Sequence, residues 1–453
     1  MVKFLHSWRQ DPLLSGVVKN SSYLFSSSAF SIVLGILQGI FAARLLGATN
    51  YGVLAATVIP FASNVNRLLS FRMSEFVVKY LGQYLEEGKK ERAASIVKAA
   101  GLVEAVTSIL AYLVMLALTP LAARLIAHNP TTAPIFALYG LVLVTSITYE
   151  TATGVLQATR RFNRIAQINL TQNIVTVVMI FIAYVLKGDI YWVMLAYLAG
   201  KALACLVLYI TALRQLGREL GSGWFHAPLQ LRGDWKELSS FAVSTNLHAT
   251  VNLVVRDSET LLVGALRSTT EGGYFRIALG VINLVSLPIE PFISTTYAEI
   301  SRTVAQKEWK LTRRLLKRVS AITGLWTLVS GGALALTGYW LVPLLYGAEF
   351  RPAYPALLLL LVGYGFANFL NWNRSLLLAL GMPVFPLKVS AVVGSVKTVL
   401  TFLLVPGMGY VAEAAILSGY FVGSIGTNAW RGWREIERKE RLASLEESYA
   451  PAE

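Results

Sequence analysis

The sequence predicts an all-α polytopic membrane protein, with about twelve transmembrane helices in two six-helix bundles around a central cavity. Three observations lead there. Apolar runs of roughly 18–25 residues recur from one end of the chain to the other. The 453 residues are 55% hydrophobic, with a mean hydropathy of +0.57. Lys and Arg collect in alternate connections between the runs. A closed barrel would need alternating strands of about ten residues, whereas these runs are continuous.

In chain order, the runs place helices near 22–46, 51–71, 98–123, 133–158, 168–187, 190–213, 240–266, 272–297, 319–346, 354–380, 384–405 and 410–430. The opening segment "MVKFLHSWRQDPLLSG" lacks a sustained apolar core and reads as cytoplasmic rather than as a signal peptide. With that end inside, 29 of the 40 Lys and Arg fall in inside segments and five outside, at Arg44, Arg124, Lys187, Arg267 and Arg351. This bias predicts a multi-pass protein with both termini in the cytoplasm. The expected organisation is an N-terminal bundle over 1–213, a cytoplasmic linker over 214–239, a C-terminal bundle over 240–430 and a tail over 431–453.

Two longer inside connectors, Tyr80 to Leu102 and Ser301 to Gly324, read as basic amphipathic helices at the membrane interface. They follow the second and eighth helices. "RLLGATNYG" (Arg44 to Gly52) and "RSTTEGGYF" (Arg267 to Phe275) space Arg and Tyr alike in the outer turns. Together these suggest an internal repeat of two halves.

The polar residues inside the apolar runs carry the functional reading. A charge at a helix centre costs roughly 2.5–3.5 kcal/mol, and a Leu or Val returns only about 0.3–0.6. The stretch "VNLVVRDSETLLVGAL" holds Arg256, Asp257 and Glu259. His248, Asn252, Arg256 and Glu259 share one helix face. Similar stripes mark the first helix (Ser28, Ser31, Gly35, Gln38), the second (Ser63, Arg67, Ser70, Ser74, with Asn64 beside them) and the eighth (Arg276, Gly280, Asn283, Glu290). Helices ten and eleven add Asn371, Arg374, Lys397 and Thr401, and helices three to six read as plainer. Such stripes face protein or water, so they line a polar cavity or pair with one another and hold the bundle together. Gly35 and Gly39 form a GxxxG, expected to pack closely inside the bundle.

Other classes are excluded or disfavoured. Nucleic acid is not expected despite the net charge of +15, because the basic residues sit on one side of the spans. Cys205 is the single cysteine and lies in an apolar run, as a packing residue. The four histidines have no metal-ligand spacing, so neither metal nor cofactor is expected. No P-loop, H-E-x-x-H or G-x-S-x-G occurs. With short outer loops as well, no catalytic residues are assigned and a transporter is favoured over an enzyme.

Six stretches then resemble a known family. They are "ARLLGATNYGVLA" (Ala43 to Ala55), "RMSEFVVKYLGQYLEEGKKERA" (Arg72 to Ala93), "GVLQATRRFNRIAQINL" (Gly154 to Leu170), "LLVGALRSTTEGGYFRIA" (Leu261 to Ala278), "LVPLLYGAEFRPAYPALLLLL" (Leu341 to Leu361) and "LLLALGMP" (Leu376 to Pro383). In order and spacing the chain resembles the Wzx-type polysaccharide-biosynthesis flippases of the multidrug/oligosaccharidyl-lipid/polysaccharide exporter superfamily. The resemblance implies a cargo of oligosaccharide linked to a polyprenyl diphosphate such as undecaprenyl diphosphate. It implies alternating access across a prokaryotic inner membrane, with membrane lipids and polysaccharide polymerase or other assembly proteins as partners. By position, Arg67, Arg256 and Arg276, with Arg374 or Lys397, are the candidates to hold the diphosphate. A guanidinium forks onto phosphate oxygens and stays ionised. Asn64, His248, Asn252, Asn283 and Asn371 are the candidates for sugar. Asp257, Glu259 and Glu290 would pair with arginines or bind a coupling H⁺ or Na⁺.

The chain departs from its cation-coupled drug-exporting relatives in having no acidic residue between Ser21 and Leu46. Two alternatives stay open: a cation-coupled exporter of small amphipathic compounds, and a membrane glycan-assembly enzyme.

Overall fold

A computed structural model describes residues 12–69, 73–221, 223–228, 258–382 and 384–449. No strand occurs among them. The chain divides into two compact units, one ending at Leu261 and the other beginning at Leu262. Nine helices among the described residues are long and apolar enough to cross a membrane. The first two expected helices run together within Phe30–Leu69, with a non-helical residue at Gly47 (φ 69°, ψ 174°). The expected helix over 240–266 lies mostly outside the described residues. The last expected helix lies within the 40-residue helix Tyr410–Tyr449, which continues through the expected tail.

In the first unit, α1 (Pro12–Gly52) leads through a π-helical segment, Val53–Val58, into α2 (Ile59–Leu69). Then come α3 (Met73–Glu86), α4 (Lys90–Leu125), the short α5 (Ala133–Tyr139) and α6 (Leu141–Thr145), α7 (Tyr149–Ala158), α8 (Phe162–Val185) and α9 (Ile190–Leu220). α10 (Glu259–Leu266) crosses the division. The second unit holds α11 (Thr269–Ser286), α12 (Glu290–Ala305), α13 (Trp309–Tyr346), α14 (Ala353–Phe369), α15 (Asn373–Ala379), α16 (Val384–Met408) and α17 (Tyr410–Tyr449).

The two connectors correct the expectation of interfacial helices. Each is a helix end, a tight turn and the start of a long helix. α3 stops at Glu86, Gly88 takes φ +70°, and α4 starts at Lys90. In the turn, hydrogen bonds from Lys89 and then Gln83 hold the Glu87 carboxyl below its ordinary value. The apolar side, including Tyr80, Tyr84, Ile96 and Val97, is buried against Val155, Leu156, Leu208 and Leu216. In the second unit, α12 stops at Ala305, Lys307 takes φ 58°, and α13 starts at Trp309. Its apolar side, Ile300, Trp309 and Leu316, packs with Trp372, Leu376 and Ile436. Protein rather than headgroups receives these faces.

The turn chemistry carries the internal repeat further than the sequence does. Left-handed residues recur in pairs at nearly constant separation: Gly88 and Lys307, His128 and Gly347, Arg160 and Gly381, Lys187 and Gly409. The hydrogen bonds match as well. Arg161 N–H reaches Leu156 O, and Met382 N–H reaches Leu377 O. Where the sequence offers Gly in one half it offers His, Arg or Lys in the other, so the local signal is erased while the backbone is kept.

Small residues set helix contacts, though not where the GxxxG pointed. Gly35 has no atom within 4 Å of where a Cβ would sit. Gly363 in α14, by contrast, would place a Cβ 2.5 Å from Ser418 Cα of α17. Gly363→Ala is therefore expected to destabilise the second unit by about 1–3 kcal/mol. Gly332→Ala, on an exposed face of α13 with nothing within 4 Å, should be neutral or slightly stabilising. Thermal unfolding of the two variants in detergent distinguishes them; equal midpoints would remove the close approach.

Candidate functional site

Sorting the expected site residues by where their helices present them separates packing from candidate lining. In α2, Ala62 and Val65 are buried while Ser63 and Arg67 are exposed. Asn64 donates from Nδ2 to Ser258 Oγ at 3.2 Å. This bond ties the second stripe to the end of the "RDSET" stretch, where Glu259 opens α10 at 5% exposure. His248, Asn252, Arg256 and Asp257 lie outside the described residues, and the side chain of Glu290 does too.

α11 has the same division in the second unit. Ser268 starts it, its Oγ accepting the Glu271 N–H at 3.1 Å. Phe275, Ile277, Ala278, Val281, Ile282 and Val285 are buried. Arg276 and Asn283 are exposed, with Gly280 between them and no atom within 4 Å of its Cβ position. α11 therefore presents Arg276 on a helix face that the packing of its unit does not use. A guanidinium on such a face needs water, headgroups or an anion, because hydrocarbon cannot solvate it.

Other expected lining residues are used internally. Gln38 is buried and donates to Asn173 O and Oδ1 at 3.2 and 3.3 Å. Lys397 is 3% exposed, and its ammonium sits 3.2 Å from a carboxylate oxygen of Glu413, itself 0% exposed. Thr401 Oγ1 donates to the other Glu413 oxygen at 2.7 Å. Lys397 thus belongs to a buried ion pair, away from any open face. Asn371 is buried where the helix breaks between α14 and α15, its Nδ2 donating to Asn368 O at 3.1 Å. Arg374, three residues on, is exposed.

The third to sixth helices are less plain than the sequence suggested. Glu104 of α4 is 1% exposed. Its two oxygens accept the backbone N–H groups of Glu150 and Thr151, each at 2.8 Å. These are the first turn of α7, whose own N-cap residue Thr148 supplies no side-chain bond. Glu104 therefore caps a broken helix from a neighbouring one, satisfying donors that no lipid could. Beside it Ser74 Oγ donates to Glu150 Oε2 at 2.6 Å, and the Lys201 ammonium lies 3.5 Å from the centre of the Tyr149 ring. The signals were visible as an acid in "GLVEAV" and a lysine in "LAGKAL", but the partners are 46 and more positions away in the chain.

The outer-turn motif also has a structural explanation. Arg267 Nε donates to Glu271 Oε1 at 3.1 Å, and Arg267 Nη1 to Pro406 O at 2.9 Å. Tyr410 N–H reaches Glu271 Oε2 at 3.0 Å. Arg267 and Glu271 of "RSTTEGGYF" thus lock the start of α11 to the turn between α16 and α17. No cluster of three or more His, Cys, Asp or Glu suited to a metal occurs among the described residues.

Comparison with known proteins gives three kinds of likeness. The family described as "Polysaccharide biosynthesis protein" matches residues 41–355. Inner membrane protein YghQ of Escherichia coli (strain K12) is 23% identical over 359 residues, spanning 77% of this chain and 97% of that protein. Among solved structures, an inward-facing multidrug resistance MATE family transporter of the MOP superfamily superposes with a TM-score of 0.72 at 12% identity, covering 91% of this chain and 96% of that one. The lipid II flippase MurJ, inward closed, gives 0.68 at 14% identity, covering 95% and 93%. At such identities these two likenesses carry the fold: the chain has the all-helical architecture of MOP superfamily transporters.

Proposed function

The chain belongs to the polysaccharide biosynthesis protein family, and on that premise we propose that it is a flippase for polyprenyl-diphosphate-linked oligosaccharide. It moves this cargo from the inner to the outer leaflet of the cytoplasmic membrane by alternating access, for O-antigen, capsule or exopolysaccharide assembly. Both termini lie in the cytoplasm. What supports the reading is the exposed polar face of α11, with Arg276, Gly280 and Asn283; Arg67 joins it on sequence position. A diphosphate offers the anionic oxygens such guanidiniums take in paired, charge-assisted bonds. Glycine at 280 leaves room beside Arg276, and Asn283 offers amide bonds to sugar hydroxyls. Arg256 joins the diphosphate group on sequence position, with Asp257 and Glu259 to orient it or to bind a coupling cation. An inside-negative potential favours outward movement of the anion by roughly 2.3 kcal/mol per charge per 100 mV.

The test uses purified protein in liposomes with a labelled polyprenyl-diphosphate oligosaccharide, comparing leaflet exchange for wild type, Arg276→Ala and Arg374→Ala. Exchange by wild type and a loss of about ten-fold or more in Arg276→Ala are expected, one charge-assisted contact being worth about 1.5–3 kcal/mol. Exchange unaltered by Arg276→Ala would remove Arg276 from the site. Failure of wild type with every glycan tried, alongside efflux of small amphipathic cations, would replace the flippase by an exporter.

A further inference from the structure

The second unit contains a cavity of about 510 Å³ between α13, the break after α14 and α17. Its walls are mainly apolar and carry five aromatic side chains: Phe366, Phe369, Trp372, Trp430 and Trp433. Two of the indoles have their N–H groups engaged, Trp372 with Ser320 Oγ of the same wall at 2.7 Å and Trp433 with Glu437 Oε1 at 3.0 Å. Phe369 and Trp430 are 45% and 54% exposed, so the cavity is open to the surroundings. An open apolar cleft lined this way favours an apolar guest over water. In a membrane, the guest at hand is a hydrocarbon chain.

The charges at one end say what that chain is attached to. Lys317 lines the cavity and its ammonium lies 6.0 Å from the centre of the Trp433 ring. The neighbouring cations are partly taken: Arg313 pairs with Glu440 at 3.2 Å, and Arg431 and Arg438 pair with Glu435. Lys317 is exposed and has no carboxylate partner among the described residues, nor do the exposed Arg314 and Arg318 beside it. A tail in the aromatic walls with an anionic head on these cations is the shape of one molecule.

We infer that this cavity holds one acyl chain of an anionic phospholipid from the leaflet on the basic side of the protein, with its phosphate at Lys317. The cargo's prenyl carrier fits less well. Its head must cross the membrane, whereas the cations lie at one end only, where a resident lipid keeps its phosphate. The lipid fills the space where α14 breaks and joins the break to α13 and α17, and so couples the packing of this unit to the composition of the membrane.

The test is native mass spectrometry of delipidated protein in detergent, titrated with phosphatidylglycerol or phosphatidylcholine. The variants are Lys317→Glu at the head and Ala321→Trp in the cavity wall; both positions are exposed, so folding should be kept, and circular dichroism checks this. Wild type should hold phosphatidylglycerol about five-fold more tightly or better, the scale of one basic contact at a charged surface. Lys317→Glu should abolish the preference, and Ala321→Trp should lower binding of both lipids. Equal binding of the two lipids by wild type, or unchanged binding in both variants, would overturn the site. Displacement of phosphatidylglycerol by undecaprenyl phosphate in wild type but not in Ala321→Trp would overturn the occupant, giving the cavity to the carrier.

Discussion

Glu413→Ala is expected to destabilise the protein by about 3–5 kcal/mol, because it leaves the Lys397 ammonium buried without its counter-charge. The pair is 3% and 0% exposed, with nitrogen and oxygen 3.2 Å apart and Thr401 bonded to the second oxygen. Water cannot reach Lys397 to replace the carboxylate. Removing both charges together, as Lys397→Met with Glu413→Leu, should recover most of the loss, since two apolar side chains of similar size avoid the desolvation cost. Unfolding in mixed micelles by denaturing detergent reads the three proteins. If the single variant unfolds like wild type, the ion pair does not form. If the double variant is as unstable as the single one and transport also fails, Lys397 acts beyond the pair, as the sequence first suggested for a diphosphate contact.

Glu104→Ala should cost about 2–4 kcal/mol. It strands two buried N–H groups, those of Glu150 and Thr151, each worth about 1–3 kcal/mol when left unsatisfied. Glu104→Gln should cost less than Glu104→Ala. Its amide oxygen still accepts one bond, while its NH₂ cannot accept the other and the favourable carboxylate at a helix N-terminus is lost. Ordering the midpoints as wild type, Gln and Ala would support the capping role. Identical midpoints for Gln and Ala would point to the charge alone, and no change in either would end the assignment. Hydrogen exchange localised to the start of α7 gives the same answer independently of global stability.

Both effects concern residues whose role could not be read from the sequence. The apolar runs were legible because a bilayer imposes length and hydropathy on each helix separately. The exposed side of α11 was legible because helical period alone sorts Arg276 from its buried neighbours. The connectors were misread for a related reason. Amphipathicity shows that one face of Tyr80–Leu102 is apolar, but a headgroup layer and a protein core accept such a face equally well. Gly88 was a turn signal, yet its counterpart in the second unit is Lys307, which carries none.

The sequence by itself determined that the chain is a membrane-spanning helical protein, where most of its helices run, and which family it resembles. Each of these depends on residues near one another in the chain. The tertiary structure decided which buried polar groups are spent on the fold. Lys397 goes to Glu413, Gln38 to Asn173, and Glu104 to the backbone of α7, while Arg276 keeps an open face. The physical reason is that an ion pair or a cap is a property of two elements at a distance of about 3 Å. The charge of either residue alone is compatible with a cargo site and with a staple, and only the position of its partner separates them.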